Sequence, residues 1–186
     1  MSTRIPKTIR LTVVRALGQA LGIACFAVGS IFGSRSLRAL GLPSVAEHNF
    51  RRGNLDAASA RAIQLLRLAE AESTDWNYGN AVHKAHLMLG RVALARGDIV
   101  TAEAELIASA RIPGSPQLAS FGPNMQLALE LLQAGRKDAV LEYFCLCGNF
   151  WEMGQSQLRT WSIDIENGRA CFRWQLALLA KPPYAA

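Results

Sequence analysis

His83 and His86 stand three apart in the run Tyr78-Gly79-Asn80-Ala81-Val82-His83-Lys84-Ala85-His86. On a helix that spacing brings two imidazoles to one side, where they could serve a metal ion. Asp75 and Asp98 could supply carboxylates, but nothing in the spacing puts them within reach. The competing role for His83 is packing at a helix start, with its ring donating to a loop carbonyl. No serine or cysteine has a nucleophile context such as G-x-S-x-G, and neither a phosphate loop nor a dinucleotide fingerprint occurs. The residues therefore point away from an enzyme, and no cofactor is expected. A metal-dependent enzyme using His83 and His86 is the weaker alternative.

Cysteine chemistry is equally sparse. Cys25, Cys145, Cys147 and Cys171 match no zinc or redox spacing, and Cys145 and Cys147 form a C-x-C. Two positions apart on a helix point to nearly opposite sides, so one metal could not easily take both. Unpaired, buried cysteine is the expectation. A bridge from Cys171 to Cys145 or Cys147 stays open if the body lies outside the cytoplasm. Trp76, Trp151, Trp161 and Trp174 read as packing anchors near helix ends.

The net charge of +6 is unevenly placed. Residues 1–42 carry Arg4, Lys7, Arg10, Arg15, Arg35 and Arg38 and no acidic residue. From residue 43 onward 14 basic residues balance 14 acidic ones. A neutral body is a poor surface for tracking phosphates, so no nucleic-acid partner is expected.

Between the basic residues lies Ala16–Gly33, 18 residues without a charge, with Gln19 and Ser30 its polar side chains. As a helix the run is about 27 Å long, at the lower limit for a bilayer. It predicts a single-pass membrane anchor with the N-terminus inside, because the preceding basic residues favour that side. The body would then be non-cytoplasmic; a cytoplasmic or secreted protein is the alternative. Gly18, Gly22, Cys25, Gly29 and Gly33 gather on one face, which predicts close approach of two membrane helices and a possible homodimer. A cleaved secretory signal, a lipoprotein-like signal at Cys25, a transit peptide and a buried helix are the rival readings.

Helices must position all of this, because no alternating strand pattern appears and the fold class is all-α. Three runs read alike, centred on Gly53, Gly97 and Gly135, with Ala58, Ala102 and Val140 five positions later. Repetition at this scale predicts a solenoid of helical hairpins. Ser44-Val45-Ala46-Glu47 after Pro43 reads as a capping box, Asp98 as an N-cap and Pro123 as a first helical residue. In the helix from about Asn80 to Arg96, Val82, Ala85, Leu89 and Val92 lie on one side and Leu87 and Leu94 on the other, so both sides need covering. The expected division is 1–42 as an apolar N-terminal segment, 43–168 as the repeat domain and 169–186 as a tail.

The middle repeat resembles the tetratricopeptide consensus in Leu89-Gly90, Ala102 and Leu106, departing at Ala93 where tyrosine is usual. The flanking units keep the glycine turn but carry Ala46 and Ala128 at the packing glycine. Tyr78–His83 and Ile112–Met125, within a stretch from Trp76 to Trp161, resemble uncharacterised bacterial tetratricopeptide-like proteins. The resemblance implies a small helical scaffold without an established activity. Its first helices would line a concave face, placing Lys84, Leu87, Arg91 and Leu94 toward a groove. Lys84 and Arg91, seven apart, could clamp an acidic or C-terminal carboxylate group. The function so implied is a membrane-tethered scaffold binding another protein or peptide; a soluble regulatory adaptor is the alternative.

Overall fold

The computed structural model describes residues 7–169, with side-chain surroundings from residue 16 onward. Among the described residues every regular element is helical. In chain order these are α1 (Lys7–Ile31), α2 (Arg35–Arg51), α3 (Leu55–Glu70), α4 (Tyr78–Ala95), α5 (Ile99–Ala110), α6 (Pro116–Phe121), α7 (Gln126–Gln133), α8 (Lys137–Cys147) and α9 (Gln155–Glu166). A single 3-10 turn, Glu152–Gly154, leads into α9.

The three glycine runs become three turns of one design. Gly53, Gly97 and Gly135 have φ of 76°, 82° and 79°, a left-handed conformation that a side chain would strain. At each, the glycine N–H bonds back three residues and the next N–H bonds back five. For the middle turn these are Gly97 to Leu94 O at 3.0 Å and Asp98 to Ala93 O at 2.9 Å. Such a Schellman turn satisfies the last carbonyls of one helix while reversing the chain. Asn54 and Asp98 then cap the following helices, accepting from Ala57 N–H at 3.2 Å and Thr101 N–H at 3.0 Å. Ala58, Ala102 and Val140 are all fully buried at the crossings that the turns create.

The turns produce hairpins α2–α3, α4–α5 and α7–α8, stacked in two layers. The first helices touch in succession, α2 with α4 and α4 with α7, while α5 meets α8 on the other side. Helix α4 contributes to all three apolar clusters of the core: Val82 and Ala85 with Leu42 and Leu65, Met88 and Val92 with Ala46 and Ala62, Leu87 and Ala93 with Leu106 and Leu131. This is the helix whose sequence is apolar on both sides, and it is covered on both. A Cβ at Gly90 would collide with Leu127 and lie 3.1 Å from Glu105 Cβ, so the glycine sets how closely α5 and α7 approach.

Two helix starts differ from those expected. Helix α2 begins at Arg35, capped by Ser34, whose Oγ accepts from Leu37 N–H at 3.3 Å, and it runs straight through Pro43. Ser44 and Glu47 therefore cap nothing; Glu47 turns outward to Arg51 and Arg91 at 2.7 and 2.8 Å. The expected division after residue 42 falls inside this helix, at the fully buried Leu42. Pro123 does not start a helix either. Asn124 Oδ1 instead accepts from Gln126 N–H at 2.8 Å, and α7 begins there.

The membrane anchor is overturned. Among the described residues no helix is long and apolar enough to cross a membrane. The glycines and alanines that give Ala16–Gly33 its length contribute little transfer energy, and the run is diluted further by Gln19 and Ser30. With it falls the inference that the body lies across a membrane.

The small-residue face is turned inward, against α2. A Cβ at Gly22 would strike Ser44, and one at Gly29 would lie 2.7 Å from Arg38 N. From the other side, a Cβ at Gly41 would strike Gly22 O and Phe26 N. Gly22 and Gly29 thus serve a contact within the chain and are not free for the expected helix dimer. Gly18 and Gly33 meet nothing within 4 Å.

Two substitutions test this packing. Gly90→Leu should cost on the order of 1–3 kcal/mol through overfilling, measured by urea unfolding; an unchanged midpoint would contradict the close crossing. Gly41→Val meets backbone and should push α1 off α2, so that trypsin cuts at Arg35 and Arg38 faster than in the wild type. Equal cleavage would show that the α1–α2 contact is not tight.

Candidate functional site

The two segments singled out in the sequence, Tyr78–His83 and Ile112–Met125, meet in space. Gly79 approaches Gly114 so closely that a Cβ would strike its carbonyl. At the next residue, Asn80 Nδ2 donates to Gln117 Oε1 at 2.6 Å, and Ser115 Oγ donates to Asn80 Oδ1 at 3.1 Å. Ser115 also caps α6, accepting from Leu118 N–H at 3.1 Å. A loop holding Pro113, Gly114, Pro116, Gly122 and Pro123 has few backbone bonds of its own. Asn80 of α4 fastens it through the side chains of Ser115 and Gln117.

His83 completes the fastening. The N–H of Asn124 donates to His83 Nε2 at 3.1 Å, so the ring proton sits on Nδ1, which donates to Ser109 O at 2.9 Å. Tyr143 Oη donates to Asn124 O at 3.0 Å from the far side. One buried imidazole therefore ties α4 to the last turn of α5 and to the loop before α7. Burial drives its pKa from 6.5 down to about 4, against the opposing effect of the bond to Ser109. The ring is neutral at ordinary pH. Burial also pushes up the pKa of the neighbouring Tyr143 hydroxyl and Cys147 thiol. These groups anchor structure and offer no nucleophile.

This geometry decides the fate of the histidine pair. Both nitrogens of His83 are engaged, with no lone pair left for a metal. His86 turns elsewhere, its Nδ1 lying 2.7 Å from Glu105 Oε2. Among the described residues no three His, Cys, Asp or Glu side chains gather as metal ligands. Asp75 and Asp98 are engaged at turns, accepting from Asn77 N–H at 2.7 Å and Thr101 N–H at 3.0 Å. Cys145 is exposed and Cys147 buried, while Cys171 and Trp174, and with them the suggested bridge, lie outside the described residues.

Of the four expected groove residues only Lys84 is exposed. Leu87 is in the core and Leu94 packs on it. Arg91 is already clamped: Nη1 meets Glu47 Oε2 at 2.8 Å, Nε meets both Glu130 oxygens at 3.1 Å, and the guanidinium lies 4.4 Å from the Phe50 ring centre. The carboxylates that it was expected to take from a ligand come from α2 and α7. Sequence spacing placed Arg91 on the right face of α4 but could not show that this face is closed by its neighbours.

The open groove lies on the other layer. About 840 Å³ of space runs along α5, walled by Leu66 of α3 and Ala139 of α8, with Ala104 and Ala108 on its floor. Its rim carries Glu70, Glu103, Asp138 and Glu142 against Arg111 and Arg136. Arg136 meets Glu103 at 2.5 Å and Arg111 meets Glu142 at 3.4 Å. Among the described residues Glu70 and Asp138 enter no ion pair, so the rim is left acidic. Sequence reasoning missed this groove. Its one signal was the pair of small residues one turn apart on α5, the exposed Ala104 and the half-buried Ala108, which leaves room above the helix.

Two outcomes follow from the buried knot. A histidine whose pKa is lowered on folding binds its proton more readily in the unfolded chain. The wild type should therefore lose stability as pH falls from about 6.5 to about 4, by on the order of 3 kcal/mol relative to His83→Gln. Parallel urea-unfolding curves across that range would contradict the assignment. A thiol reagent should label Cys145 in the native protein and Cys147 only on unfolding; mass spectrometry reads both, and equal native rates would refute it.

Compared with protein-family models, with curated proteins and with solved structures, the chain matches none.

Proposed function

We propose that this chain is a protein- or peptide-binding scaffold built from tetratricopeptide-type hairpins. The observation that carries the reading is the open groove along α5, held between helices whose spacing is set by three identical glycine turns. The likeness of the middle repeat to the tetratricopeptide consensus, seen in Leu89-Gly90, Ala102 and Leu106, accords with it: all of these but the half-buried Leu89 are buried at helix crossings. The groove departs from that likeness in one respect. It lies on the second helices of the hairpins, because Glu47, Arg91 and Glu130 bridge the first ones.

A shallow trough with an apolar floor and an acidic rim suits an extended or helical segment with small apolar and basic side chains. Its walls are preformed, which reduces the ordering cost of binding. The chemistry favours holding a ligand over transforming one: the buried His83 and Tyr143 are hydrogen-bonded to the fold itself.

The test is selection of a displayed random-peptide library on the immobilised full chain, followed by affinity measurement. Ala104→Tyr places bulk on the groove floor at an exposed position and should weaken the selected peptides at least tenfold with unfolding unchanged. If no peptide is enriched, or if the enriched ones bind the variant as well as the wild type, the groove is not the binding surface.

A further inference from the structure

Beside the groove, and sharing Tyr78 with it as a wall, is a second recess of about 400 Å³. It is bounded on one side by Asp75, Trp76 and Tyr78 and on the other by Pro113, Phe150 and Glu152. Two carboxylates and three aromatic rings line it, and no basic side chain does. We propose that this recess binds the arginine or lysine side chain of a partner polypeptide, the cation resting on the aromatic faces with Asp75 and Glu152 as counter-charges.

Three features carry this. First, Trp76 is 60% exposed at the mouth of a concavity, whereas Trp151 and Trp161 are buried in the core. The negative face of an indole attracts a cation, and tryptophan does so best among the aromatic side chains. Second, the charge is complementary: a recess carrying only carboxylates sits on a body whose overall charge is neutral. The rim of the neighbouring groove carries more carboxylates than guanidinium groups, so a basic segment would meet net negative charge there as well. Third, both walls are set before any ligand arrives. Asp75 O and Oδ1 accept from Tyr78 N–H at 3.0 Å and Asn77 N–H at 2.7 Å. Opposite them, the Gly79–Gly114 contact and the Asn80–Ser115 bond hold the proline loop. A cavity of this size is at the lower end of small-ligand sites, which run from about 300 to 1,000 Å³, and takes one long side chain.

The inference rests on the reading of the chain as a peptide-binding scaffold, and it adds the chemistry of one anchoring residue. Its test uses the full chain labelled with ¹⁵N and two five-residue peptides, alanine with a central arginine and the same with citrulline. The Trp76 indole N–H signal, assigned by its loss in Trp76→Phe, should shift saturably with the arginine peptide and much less with the uncharged one. Asp75→Asn with Glu152→Gln should weaken the arginine peptide at least fivefold, and Trp76→Leu should do the same. Equal shifts from the two peptides, or unchanged affinity in the double variant, would overturn the proposal. The peptides are too short to need the groove, so the two readings fail separately: a selected library peptide that requires Ala104 but ignores Trp76 keeps the scaffold and removes the cation recess.

Discussion

The arrangement depends on one buried imidazole. His83 sits near the start of the central helix, accepts from Asn124 on one side and donates to Ser109 on the other. A neutral histidine can do both at once, whereas a charged ring could only donate. Burial keeps it neutral, and its neutrality is what lets the loop before α7 be held against α4 and α5. Removing the ring would leave a buried carbonyl and a loop N–H without a partner, which is costlier than losing an apolar contact of the same size.

From this fixed point the rest follows by packing. Helix α4 is shared by three apolar clusters, so any error in its position would spread to both layers. Gly79 and Gly41 remove the side chain where two backbones must nearly touch, and Gly90 does so where the Leu127 side chain must fit. Trp151 is packed in the same way, with Gly122 and Gly154 on its indole and Trp161 6.1 Å away. Small residues thus set the spacing between helices, and that spacing leaves the groove open along α5 while Arg91 closes the opposite face.

What the sequence made legible was local. Gly53, Gly97 and Gly135 announced their turns because few residues other than glycine tolerate that conformation, and Asp98 announced its cap because a carboxylate there satisfies an orphan N–H. The apolar pattern of α4 showed two faces needing cover. It could not show which neighbours would cover them, so Leu87, Leu94 and Arg91 were assigned to a surface that α2 and α7 occupy. Ser44 and Glu47 have the right spacing for a capping box, but the helix had already begun at Ser34 and continued through Pro43. The glycine face of α1 was read correctly as a site of close approach and wrongly as one between membrane helices. Its partner, Gly41 on the next helix, lies too far along the chain for spacing to reveal. The recess at Trp76 was invisible because its walls come from Asp75–Tyr78, Pro113 and Phe150–Glu152, brought together by the close contacts of Gly114 with Gly79 and Phe150.

The most direct test of that fastening is the protonation state of the His83 ring itself. Long-range ¹H–¹⁵N correlation of imidazole nitrogens, recorded on the full chain at pH 5.5, distinguishes the two neutral tautomers from the charged ring. His83 is expected to be neutral with its proton on Nδ1 at that pH, well below the ordinary value of 6.5. A ring found charged at pH 5.5, or neutral with its proton on Nε2, would contradict the donor at Asn124 and with it the tie between α4, α5 and the loop before α7.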